Sequence, residues 1–100
     1  MSVNMKMIQQ MQNRLEKIQQ ELAETVVEGT AGGGAVRAMV TGQREFQSIK
    51  IEPSAVDPDD VEMLEDLITA AIRDAMTKAT ATAEDKMGAL TGGMKIPGLM

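Results

Sequence analysis

One stretch of this chain, running from Asp57 to about Leu90, reads as a single helix, and a helix of that length governs what the remaining residues can do. Asp57 is a good N-cap, Pro58 suits the first helical position, and Asp59 and Asp60 place negative charge in the first turn. Val61, Leu64, Ile68 and Ile72 then line one face, which Leu67, Ala71 and Ala75 widen. Met76, Ala79, Ala83, Met87 and Leu90 carry the stripe onward, with small residues predominating, so another helix can approach closely. The spacing predicts an end near Gly88 or at the Gly92–Gly93 pair. A helix of about 30 residues rises roughly 45 Å, more than a three-stranded sheet can cover. Its distal half therefore needs a helical partner.

The opening of the chain supplies one. From Asn4 to Glu24, Ile8, Met11, Leu15, Ile18 and Leu22 recur at steps of three and four, the narrow seam of a helix packed lengthwise against another. An ordinary amphipathic helix lying on a core is the plainer alternative. Between the two helices the period changes to two. Thr25 to Thr30 is rich in β-branched residues, and Ala31-Gly32-Gly33-Gly34-Ala35 supplies a loop. Val36, Ala38 and Val40 alternate with Arg37, Met39 and Thr41 as a strand, and Thr41-Gly42-Gln43 reads as a turn. Glu45 to Glu52 follows as a third strand with Ile49 and Ile51 on one face. Phe46 is out of step with that alternation, so it faces the other side or a bulge shifts it. The expected fold is α+β in the order α-β-β-β-α, with a three-stranded antiparallel sheet and two long helices forming a protruding arm.

Several functions are hard to build from this composition. The chain has no Cys and no His, which removes thiolate nucleophiles, imidazole bases and most transition-metal ligands. Ser2, Ser48 and Ser54 thus lack an imidazole to activate them, and no enzyme activity is expected. The acidic residues from Asp57 to Asp66 lack calcium-loop spacing and are explained largely by helix capping. Gly32-Gly33-Gly34 precedes a strand rather than a helix, so it is a hairpin loop and not a phosphate cradle. No cofactor, metal or small-molecule substrate is expected. No stretch approaches the roughly 20 apolar residues of a membrane span, and the first residues lack signal-peptide character, so the expected location is the cytoplasm. The apolar inventory is ten Met, one Phe and no Trp or Tyr, a core of adaptable side chains and no platform for stacking unpaired bases.

The formal charge of −5 argues at first against nucleic acid, but its distribution is uneven. Glu52, Asp57, Asp59, Asp60, Glu62, Glu65 and Asp66 form one acidic block, whereas Lys6, Arg14 and Lys17 face only Glu16 among the first twenty residues. Lys6, Gln10, Asn13 and Lys17 share the side of the first helix away from its apolar seam, with Arg14 and Gln9 beside them. Such a face can neutralise phosphates and hydrogen-bond their oxygens, or it can simply be solvated. Lys78 and Lys86 join it if the two helices pack together, and the acidic end would then face away from DNA.

The order of segments resembles the YbaB/EbfC family of nucleoid-associated proteins along nearly the whole chain. The resemblance rests on Met5-Lys6-Met7-Ile8-Gln9-Gln10-Met11-Gln12, on Val27-Glu28-Gly29 before the glycine loop, and on Ile49-Lys50-Ile51-Glu52-Pro53. It continues through Met63-Leu64-Glu65-Asp66-Leu67, Ala70-Ala71, Leu90-Thr91-Gly92-Gly93-Met94 and Ile96-Pro97-Gly98. It implies a tweezer-like homodimer in the nucleoid that binds double-stranded DNA with little or modest sequence preference. Paired sheets would form its body, with Val36, Ala38, Val40, Phe46, Ile49 and Ile51 as the dimer interface. Residues 1–91 would form the single domain and residues 92–100 an extended tail. The competing reading is a dimeric protein-interaction module that meets DNA only incidentally.

Overall fold

A computed structural model describes residues 4–90. Helix α1 (Met5–Glu24) is followed by strands β1 (Val26–Ala31), β2 (Val36–Thr41) and β3 (Phe46–Ile51), a short 3-10 turn at Pro53–Ala55, and helix α2 (Val61–Leu90). The strands form an antiparallel meander in the order β1-β2-β3. The α-β-β-β-α order expected from the sequence is therefore the observed one. The assignment of residues 92–100 to a tail lies outside the described residues.

The local chemistry explains most of the boundaries. The Asn4 side chain accepts the Lys6 N–H at 2.9 Å and starts α1. Gly32, Gly33 and Gly34 all take positive φ, which closes the β1–β2 hairpin where Ala31 pairs with Val36. The start of α2 corrects the sequence reading. Asp60, not Asp57, caps the helix, its carboxylate accepting the Met63 N–H at 3.2 Å. Asp57 instead closes the preceding turn, its side chain accepting the Asp59 N–H and its carbonyl the Asp60 N–H, both at 2.9 Å. Pro58 sits inside that turn, where its fixed φ serves equally well.

The strand register settles the place of Phe46. Ile51 lies opposite Val36 and Ile49 opposite Ala38, but Phe46 lies opposite Val40, because a bulge shifts the pairing there. The extra residue returns Phe46 to the row of Ile49 and Ile51.

One face of the sheet is covered by α2 of the same chain. Ala71, Ala75 and Ala79 rest on Val36, Ala38 and Val40, and all six are fully buried. Leu64, Leu67, Ile68, Ile72 and Met76 flank this row and are partly buried, while Val61 is exposed. The stripe thus centres on the alanines and not on the larger aliphatics that dominate the sequence pattern. Gly29 explains why, since a Cβ there would run into the α2 backbone at Ala71 and Ala75. Helix and strand meet backbone to backbone, and only small residues fit between them.

This placement overturns part of the expected dimer interface. Val36, Ala38 and Val40 have no exposed surface in a single chain, so they cannot also contact a partner. Among the six residues of that set, Phe46 is half exposed and Ile49 and Ile51 are partly buried at the edge of the core.

Candidate nucleic-acid interface

Beyond Ala79 the sheet no longer supports α2, and α1 takes over. The two helices run antiparallel, with the end of α1 against the last turns of α2. Leu22, 3% exposed, anchors the junction against the β2–β3 turn. The Gly42 N–H donates to the Leu22 carbonyl at 2.9 Å, and a Cβ at Gly42 would sit 2.8 Å from the Leu22 side chain. The Gln43 amide adds bonds to the Gln19 carbonyl and side-chain oxygens at 3.0 and 3.1 Å. Lys86 Nζ reaches Glu21 Oε2 across the helix pair at 3.2 Å. α1 then continues past Leu90, the last described residue of α2, with Met7 and Met11 exposed and Ile8 and Leu15 more than a third so.

The expected cations divide into three groups. Arg14, Lys17 and Lys86 line one groove between the helices, together with Ile18, Glu21, Ala89 and Leu90. Neither Arg14 nor Lys17 forms an ion pair among the described residues. Lys6, Gln10 and Asn13 are exposed on the part of α1 beyond that groove. The first turn of α1 holds no acidic residue, so the positive end of its helix dipole adds to Lys6. Lys78 stands apart from both groups. Its ammonium pairs with Asp74 at 3.1 Å and donates to the Glu28 carbonyl at 2.9 Å, fastening α2 to β1.

Asp74 completes that fastening by accepting the Thr30 N–H at 3.0 Å. The Thr30 hydrogen bond, with the Lys78 ammonium beside it, holds the Asp74 carboxyl below its ordinary value of 3.8.

Sequence reasoning missed Arg44. It has φ of 66°, uncommon for a residue with a side chain, and lies in the turn that docks on α1. It lines grooves against α2 with Thr80 and Glu84. A basic residue following a Gly-Gln turn was the available signal, but only the fold brings that turn to the root of the arm. Among the described residues no cluster of acidic side chains could hold a metal ion, and no helix is long and apolar enough to cross a membrane.

A small α+β body bearing a helical arm that carries Lys6, Arg14, Lys17 and Lys86 defines a class of proteins suited to meeting a polyanion. Comparison with known proteins gives the family. The chain belongs to the YbaB/EbfC DNA-binding family, whose model matches residues 1–94. It is 59% identical over 91 residues to a nucleoid-associated protein of Chloroflexus aurantiacus, covering 91% of each chain. A nucleoid-associated protein of Pelotomaculum thermopropionicum is 50% identical over 99 residues, 99% of this chain and 94% of that one. The fold also matches the crystal structure of an uncharacterised Helicobacter pylori protein, with a TM-score of 0.66, 19% identity and 89% of each chain covered.

Proposed function

We propose that this protein binds double-stranded DNA in the nucleoid as a homodimer, through the arm formed by α1 and the distal part of α2, and has no catalytic role. The observation that carries this reading is the groove where Arg14, Lys17 and Lys86 meet although they come from opposite ends of the sequence. Lys6, Gln10 and Asn13 extend the same surface toward the tip, where the helix end is already positive. Lys86 is held in the groove by Glu21, so Arg14 and Lys17, which form no ion pair among the described residues, carry its available charge. Lys78 is left out because it lies on the body half of α2, its ammonium on Asp74 and the Glu28 carbonyl. Interactions of this kind fall on phosphate and sugar and carry little base information, consistent with modest sequence preference.

The homodimer is assigned to the β3 side of the sheet. β3 is an edge strand, and Phe46, Ile49 and Ile51 are the members of the expected interface that stay partly uncovered in a single chain. Pairing there would place one arm on each side of the body and let two arms grip one duplex.

The test is a gel shift on random-sequence duplexes at several salt concentrations. Replacing Lys6, Arg14 and Lys17 together with Ala should weaken retention and flatten the salt dependence, by about 0.9 in log–log slope for each phosphate no longer neutralised. The dimer should persist by size-exclusion chromatography with light scattering. Unchanged retention in the triple variant removes the arm from the binding surface, and a monomeric parent protein removes the dimer. No duplex binding at moderate salt would favour a protein-interaction module.

A further inference from the structure

The chain has no Cys, His, Trp or Tyr but ten Met, so thioethers are its only readily oxidised side chains. They are not evenly exposed. Met5, Met7 and Met11 stand 76, 64 and 48% exposed on the first half of α1, where most cores would bury such residues. Met7 and Met11 line one shallow groove with Ile8, Gln10 and Arg14. Their spacing explains this, because residues three and four apart on a helix are neighbours, and Met7, Met11 and Arg14 follow that spacing. Two exposed thioether side chains therefore share one groove with Arg14 and Gln10.

We propose that Met7 and Met11 form an oxidation-sensitive site that controls how the arm holds DNA; this rests on the DNA reading above. The oxidant is a two-electron oxygen donor of the hydroperoxide class. A sulfur lone pair attacks the terminal peroxide oxygen, the O–O bond breaks, and an S–O bond forms. The sulfur is oxidised to sulfoxide and the peroxide is reduced to an alcohol, or to water when it is hydrogen peroxide, with the proton returning to the departing oxygen. The product is uncharged but strongly polar, and its oxygen accepts hydrogen bonds that the thioether accepts only weakly. The donor that shares the groove is the Arg14 guanidinium, one turn from Met11 on the same helix. Once turned toward the sulfoxide, Arg14 is withdrawn from phosphate, and the arm gives up one charge-assisted hydrogen bond to DNA. Sulfoxide reduction by a dedicated reductase restores the thioether, which makes the change reversible.

The experiment treats full-length protein with hydrogen peroxide, maps sulfoxides by mass spectrometry, and measures duplex retention before and after. Oxidation at Met7 and Met11 should weaken binding on the order of tenfold for each arm of the dimer, the size of one charge-assisted hydrogen bond, and lower the salt slope by about 0.9 for each arm. Methionine sulfoxide reductase should restore both. The Met7→Leu/Met11→Leu variant keeps the volume and the helix propensity; it should bind DNA as the parent does and lose nothing on treatment. Met5→Leu should remain as sensitive as the parent, since Met5 is more exposed but lies outside the Arg14 groove. Full retention by protein carrying both sulfoxides overturns the proposal, as does an equal loss in the double-leucine variant. Failure of the untreated protein to retain DNA would instead overturn the DNA reading itself.

Discussion

Two residues show how narrowly the junction between α2 and the sheet is specified. Gly29 is a place where backbone meets backbone, so Gly29→Ala forces α2 away from Ala38 and Val40 and opens the alanine row. Overpacking of this kind costs about 1–3 kcal/mol, and each kcal/mol lowers the melting temperature of a domain this size by roughly 4–8 °C. A calorimetric scan checks it; a variant melting at or above the parent would show that α2 can shift without loss. Asp74 adds a pH dependence to the same junction. Its folded-state carboxyl is held below the ordinary 3.8, first by the Thr30 N–H and then by Lys78. A depressed value means the stabilisation is present above the unfolded-state value and is lost as pH falls through the folded one. Asp74→Asn keeps an acceptor for Thr30 but cannot titrate. Its urea midpoint should therefore fall less than the parent's between about pH 5 and about pH 2. Parallel midpoints over that range would show that Asp74 does not couple folding to protons.

Each element was legible in the sequence to the degree that its signal was local. The α1 seam and the alternation of β2 are written in consecutive residues, and both elements stand where the pattern put them. The α2 cap was not, because Asp57, Asp59 and Asp60 all have a capping side chain and only the path of the chain after Ala55 selects among them. The covered face of β2 was misread for a related reason. Alternation says that Val36, Ala38 and Val40 are buried, yet not whether a helix of the same chain or a partner's sheet buries them. Gly29 held the answer, but a glycine in a strand signals close approach without naming what approaches. The cationic groove is non-local altogether, since Arg14 and Lys86 meet only after α1 folds back on α2. Leu22 holds that meeting together. Leu22→Ala should cost about 2–5 kcal/mol at the site, and α1 has little else to keep it in place, since much of its seam is open to solvent. Hydrogen exchange should then show α1 losing protection while β1, β2 and β3 retain theirs. Equal loss in α1 and the sheet would mean that arm and body unfold as one unit.

At the scale of the whole molecule, length separates charges that composition only sums. The principal extents are 69 × 27 × 16 Å, and the radius of gyration is 18.8 Å, against about 13 Å for a compact domain of 100 residues. The acidic block sits at the start of α2 and the groove cations near its end, and from Glu62 to Lys86 the helix rises roughly 36 Å. A net charge of −5 is thus compatible with DNA binding, provided that solvent screens one end from the other. The screening length is about 8 Å at physiological ionic strength but about 30 Å at 0.01 M. The variant Glu62→Gln/Glu65→Gln/Asp66→Asn should therefore bind duplex DNA like the parent near physiological salt and more tightly near 0.01 M. The Lys6, Arg14 and Lys17 triple variant should be weaker at both. Fluorescence anisotropy on one duplex at the two salt concentrations separates these behaviours. If neutralising the acidic block tightens binding just as much at physiological salt, the DNA must pass close to the start of α2. The arm would then not be the end of the molecule that meets it.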